Sequence, residues 1–362
     1  MPAETLKSAL RSPAFFIGCA FIAFQVWILF DAQQPMLQRP AHVVFALVLL
    51  FLYRPLSAEW MPRSLRIAID ALLIAASLAV GAYYLGEFDR LTTRMENVSP
   101  ILTIDIWAGT VLVLLLLEGA RRAVGWILVG VLLVFIAYAF FGNVLPGWLS
   151  FRGFGIEPAI EISTMTTAGV LGITTSTSAD FIFYFIMFGA FYGAIGGGQL
   201  FIDLAIRLAG RAVGGPAKTA IISSSLMGSI SGSAVANVVS TGVFTIPLMK
   251  RCGMKDHRAA GVEAIASTGG QLMPPVMGVA AFIMAEMLNM PYGQIALAGL
   301  IPAVAFYLAL LLVVDLSARR GGQRAMTAEE VANTAALLPR IHLLLPPIVL
   351  VFALVSGYSA AY

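Results

Sequence analysis

Charge is scarce in this sequence: Asp, Glu, Lys and Arg make up 11% of its 362 residues, against about 25% in soluble domains. Two cysteines and three histidines complete a thin supply of reactive side chains. Cys19 falls within an apolar stretch and Cys252 in a basic loop, so no disulfide is expected. His42, His257 and His342 stand at the ends of apolar stretches, without the spacing of a metal site. Phosphate-cradling loops, nucleophile elbows and dinucleotide fingerprints are missing. These absences argue against an enzyme, against a bound cofactor and against ATP-driven work by this chain. No catalytic residue and no nucleic-acid partner are expected, the formal net charge of +3 saying little by itself.

What the chain has instead is apolar length. Hydrophobic residues make up 59% of it, and they cluster in stretches near the roughly 20 residues that cross a bilayer. The predicted class is all-α integral membrane protein, with spans at 15–30, 41–56, 65–85, 106–118 and 124–145. Further apolar segments follow at 181–195, 259–290, 294–314 and 341–358. The first span follows Lys7 and Arg11 as a signal peptide does, but Asp31, Ala32, Gln33, Gln34 and Pro35 make a poor cleavage site. It is read as permanent.

Two segments depart from this pattern. The first, at about 216–250, has two apolar arms, 219–229 and 234–249, each short for a span and joined at Ser231, Gly232 and Ser233. Its length predicts a helical hairpin that enters the membrane, turns and leaves on the same side, its tip shielded by protein or water. With an N-terminus in the cytoplasm, re-entry puts all but Arg39, Arg90, Arg94 and Arg152 of the 22 Lys and Arg on the cytoplasmic side. A hairpin that spanned once would move 250–258 outside and weaken that bias. Ser231, Ser233 and Asn237 offer oxygens suited to a hard cation such as Na⁺, and the start of the second arm near Ala234 favours an anion. Gly228 and Gly232 also fit an ordinary close-packing motif between membrane helices.

The second segment, 259–290, is a helix broken by Gly269, Gly270, Pro274 and Pro275. Paired glycines lower helix preference and paired prolines remove amide donors, so unwinding is expected over 267–273. Such a break between membrane helices exposes carbonyls to a solute, and with the hairpin it predicts a chain that moves one. Glu263 lies inside the membrane zone, where an ionisable group is a functional candidate. A salt bridge to Lys255 or Arg258 accounts for it equally well, and Asp203 and Glu286 read as helix-end charges. The Thr- and Ser-rich connector 155–180 is expected on the surface as a short amphipathic element. The linker 316–340 is expected to be cytoplasmic, with Glu329 and Glu330 on a solvated helix face.

The runs SISGSAVANVVSTGVFTIPLMKRCGM (229–254) and VEAIASTGGQLMPPVMGVAAFIMAEMLNMPY (262–292) resemble the permeases of tripartite ATP-independent periplasmic (TRAP) transporters. The likeness is greatest to fused small-and-large-subunit permeases paired with TAXI-class binding proteins, and covers about 181–314. The resemblance implies an elevator-type transporter of the inner membrane, taking up an organic anion, usually a carboxylate, with Na⁺ and a periplasmic binding protein. Residues 1–150 would be small-subunit-like scaffold helices plus a connecting helix, and 151–362 the first part of a large-subunit-like transport domain, surrounded by membrane lipid. Carried onto this chain, Ser231, Gly232, Ser267, Thr268, Gly269 and Gly270 would serve Na⁺, while Ser233, Asn237, Gln271 and Pro274 would line half of the substrate site. The inverted second repeat is expected beyond Tyr362, in a longer polypeptide. The alternative is a scaffold or assembly subunit, or an incomplete fragment, without transport of its own.

Overall fold

The fold is taken from a computed structural model that describes residues 12–356 apart from 59, 97, 333 and 335. The close of the last expected span, at 357–358, lies outside the described residues. Every regular element among them is helical, and seven helices are long and apolar enough to cross a membrane. The chain is a polytopic membrane protein. It divides into two compact units, Met1–Ala179 and Asp180–Tyr362.

The first unit holds α1 (Pro13–Phe30), α2 (Pro35–Tyr53), α3 (Arg63–Gly86), the short α4 (Phe88–Thr93), α5 (Thr103–Ala123) and α6 (Trp126–Phe141). Ser12 starts α1 by accepting a bond from the Phe15 N–H, with Pro13 at the first helical position. Leu47, Phe51, Val80, Leu112 and Leu115 form the core where α2, α3 and α5 meet. The outer surface is the reverse of a soluble protein's: on α6, Ile127 is 89% exposed and Val134, Phe135 and Phe141 are also open. A helix apolar on every side is matched to lipid or to other protein, not to water.

The connector departs from its expected surface position. It folds as α7 (Ile156–Ile160), a π-helical turn (Glu161–Met165) and α8 (Ile173–Thr177), and it buries Met165 and Leu171 in the core of the first unit. Its polar groups find partners within the unit. Arg39 donates to the Leu171 carbonyl (2.8 Å) and the Ser176 hydroxyl (3.0 Å). Tyr84 donates to the Thr164 carbonyl (2.6 Å), Gln25 to the Ala179 carbonyl (3.0 Å), and Arg94 pairs with Glu161 (2.8 Å). The compact unit accordingly runs to Ala179 and takes in the connector.

The second unit holds α9 (Phe183–Ala194), α10 (Gly197–Ala209), α11 (Gly215–Ser231), α12 (Ala234–Arg251), α13 (Asp256–Gly269), α14 (Val279–Met287), α15 (Tyr292–Gly321), the short α16 (Ala328–Ala332) and α17 (Leu345–Val355). Ala217, Ala220, Ile221, Met249, Ala266 and Tyr307 make one core of α11, α12, α13 and α15. The linker is stitched back onto α10, with the Met326 N–H donating to the Gly210 carbonyl. Asp203 is not an exposed helix-end charge. It is 3% exposed and bonded to Arg340 (2.6 Å) and Gln199 (3.0 Å).

Candidate functional site

The hairpin forms where the sequence places it. α11 ends at Gly232, whose φ of +59° is left-handed and whose N–H returns to the Gly228 carbonyl. Ser233 follows at once as the N-cap of α12, its hydroxyl accepting from the Ala236 N–H (3.3 Å). One residue closes the first helix and the next opens the second, so the turn is as short as two helices allow. At 17 and 18 residues the arms are about 25–27 Å long.

The break comes later than expected. Ser267, Thr268 and Gly269 remain in α13, Gly270 opens a 3₁₀ turn to Leu272, and the irregular stretch runs from Met273 to Gly278. The glycine pair serves packing instead of unwinding. A Cβ on Gly269 would lie 2.1 Å from the Phe306 ring, and one on Gly270 would lie 2.8 Å from the Gly228 Cα. The prolines end the helix, and Tyr292 ties the stretch that follows: its hydroxyl donates to the Pro275 carbonyl (2.7 Å) and accepts from the Met277 N–H (3.1 Å).

Tip and break meet. The Val276 N–H donates to the Ser229 carbonyl (2.8 Å), and a Cβ on Gly232 would come within 2.7 Å of the Met277 carbonyl oxygen. Gly228 and Gly232 thus do act as a close-packing pair, and what they pack against is the break. Asn237 is fully buried beside Gly228 and Gly270. Its Nδ2 donates to the Ser224 carbonyl (2.8 Å), and among the described residues its Oδ1 has no partner, nor has the buried Ser231 Oγ. Ser231 and Ser233 also line a cavity of about 580 Å³ shared with Gly189, Gly193, Gln199 and Phe244, within the range of small-molecule sites.

Of the residues singled out from sequence, Asn237 and Gly270 pack together beside Gly228, Gly232 lies against Met277, and Ser231 and Ser233 line the cavity. Ser267 is buried nearby but its hydroxyl is bonded to Glu263 (3.1 Å). Thr268 is exposed and returns its hydroxyl to the Ala264 carbonyl. Gly269 faces Phe306. Gln271 has an exposed side chain and a carbonyl that accepts from Gly278 (2.8 Å); Pro274 is half-buried in the break.

For Glu263 the structure removes one of the two alternatives, the salt bridge. Instead of a bridge to Lys255 or Arg258, both exposed, it makes hydrogen bonds to four hydroxyls on α11, α12 and α13. The signal was present: Thr241 and Thr245 are one turn apart, as are Glu263 and Ser267, and residues so spaced share a helix face. Among the described residues no group of three or more His, Cys, Asp or Glu gathers as a metal site would require.

Residues 111–362 match the family model for the DctM component of tripartite ATP-independent periplasmic transporters. The chain is 31% identical over 136 residues to the C4-dicarboxylate TRAP transporter large permease protein DctM of Pseudomonas aeruginosa, covering 38% of this chain and 31% of that protein. It is 26% identical over 175 residues to the sialic acid TRAP transporter permease protein SiaT of Haemophilus influenzae, covering 48% and 28%. The chain spans about a third of the length of these curated relatives.

Proposed function

The chain belongs to the DctM-component family of tripartite ATP-independent periplasmic transporters, which are transporters and not enzymes, and from that premise we propose that it carries the hairpin-bearing half of a Na⁺-coupled site for an organic anion. The observation that carries this reading is the meeting of tip and break. Buried oxygens of Asn237 and Ser231 without partners stand beside glycines that admit close backbone approach, and oxygen ligands of this kind suit a hard cation. α12 begins at Ala234 and α14 at Val279, and Gly232 lies against Met277, so two helix N-termini open near one spot. That arrangement favours a carboxylate. Acids are also what the names of the Pseudomonas and Haemophilus relatives give as cargo.

The hairpin re-enters on this reading. Its open ends carry Lys218 on α11 and Lys250 and Arg251 on α12, while the tip carries no charge, so both ends face the cytoplasm with the N-terminus. Elevator movement, a TAXI-class periplasmic binding protein as the donor of substrate, and bacterial inner-membrane residence complete the proposal. The test is uptake into proteoliposomes bearing the full natural polypeptide, with its binding protein outside and a panel of C4-dicarboxylates and sialic acid as cargo. Accumulation is expected only with an inward Na⁺ gradient and binding protein together. Equal accumulation with choline in place of Na⁺ would overturn the coupling.

A further inference from the structure

The carboxylate of Glu263 sits where three helices meet, and the side chains bonded to it are hydroxyls. Oε1 accepts from Ser224 on α11 (3.2 Å), Thr241 on α12 (2.5 Å) and Ser267 on α13 (3.1 Å). Oε2 accepts from Thr245 on α12 (2.6 Å). The residue is 0% exposed. Lys218 is committed to Asp315 and Lys250 to Asp256, and among the described residues no salt bridge reaches Glu263. Neutral hydroxyls satisfy the oxygen lone pairs but leave the charge unbalanced, and an unbalanced buried charge is strongly disfavoured.

Asn237, Thr241 and Thr245 occupy successive turns on one face of α12. The two threonines hold Glu263, and Asn237, with its unpartnered buried Oδ1, lies four residues nearer the tip than Thr241, about 6 Å along the axis. We propose that Glu263 is the fixed counter-charge of the cation site at the tip–break junction. It acts as a positioning residue, balancing a Na⁺ held near Asn237 Oδ1 without ligating it, because hydroxyl oxygens at 2.5–3.2 Å leave no room for an ion between. The inference rests on the Na⁺-coupled reading above. A unit charge about 6 Å from a monovalent cation, at an effective dielectric near 20, changes its affinity by up to about a hundredfold.

The probe is Na⁺ alone. The purified full-length protein is titrated with NaCl against choline chloride at constant ionic strength, and thermal stabilisation is read as ligand binding. Wild type should be stabilised saturably by Na⁺ and not by K⁺. Glu263→Gln keeps the shape and removes the charge, so its half-effect Na⁺ concentration should rise about tenfold or more. Thr245→Val keeps the charge and loses one hydroxyl, and should stay within about threefold of wild type. A wild-type half-effect concentration in Glu263→Gln overturns the inference; so does an equal shift in Thr245→Val. If Glu263→Gln yields no folded protein, Glu263→Asp decides, since it keeps the charge and disturbs the hydrogen bonds: about threefold or less supports the proposal and about tenfold refutes it. A wild type indifferent to Na⁺, or stabilised equally by K⁺, would sink the Na⁺ reading itself and this inference with it. A Na⁺-responsive wild type with an unmoved variant sinks the inference alone.

Discussion

Ser231 separates ligand function from packing more cleanly than its neighbours do. Most hydroxyls in the hairpin return to a backbone carbonyl, as Ser229 does to Leu226 and Ser225 to Ile222, so removing them disturbs the helix as well as any site. The Ser231 Oγ is buried and bonds to nothing among the described residues. Ser231→Ala therefore leaves no protein group unpaired, and its effect on stability should stay within about 0.5 kcal/mol. If Ser231 serves the ion, the same change should raise the Na⁺ concentration for half-maximal uptake, read in reconstituted transporter at saturating binding protein. Wild-type Na⁺ dependence in the alanine variant would remove Ser231 from the ligand set. Ser267 does not offer so clean a test, because its hydroxyl bonds to Glu263.

Elements were legible to the degree that a local signal controlled them. The hairpin turn was readable because Gly232 needs a left-handed conformation and Ser233 is a good N-cap, both properties of the residue itself. The break was displaced because Gly269 and Gly270 were read by propensity, while the fold uses their missing side chains against Phe306 and Gly228. The connector was misplaced because its Thr and Ser content suggests a wet surface, yet its partners are Arg39 and Tyr84, far away in sequence. Tyr292 illustrates the same blindness: it stacks on Phe282 with centroids 4.2 Å apart and holds the break with its hydroxyl. Tyr292→Phe keeps the stacking and leaves the Pro275 carbonyl and Met277 N–H without that partner. The expected loss is about 1–3 kcal/mol, seen as a melting temperature lowered by several degrees. An unchanged melting temperature would mean that the break is held by packing alone.

For the whole molecule, orientation depends on which side the basic loops occupy, and the exceptions to the bias have local explanations. Arg39 bonds to the connector, Arg90 to Asp105 (2.5 Å) and Arg94 to Glu161 (2.8 Å). Three of the four basic residues placed outside are thus used by the fold of the first unit. The remaining loops then set the topology, and the hairpin is its most sensitive point, since a single spanning pass would reverse the side of every later loop. Lys218 makes a poor reporter: its amine pairs with Asp315 (2.5 Å) and its side chain is only 17% exposed. Arg211 and Lys255 are exposed and lie beyond opposite ends of the hairpin, so they sample both entry and exit. Single cysteines at these positions, in a background lacking Cys19 and Cys252, should react with a membrane-impermeant maleimide only from the cytoplasmic face, while one at Arg152 should react only from the periplasm. Reaction of position 255 from the periplasm, with position 211 still cytoplasmic, would mean that the two arms cross the membrane instead of returning. The tip would then sit between opposite faces, and the site built on it would fall with the re-entrant topology.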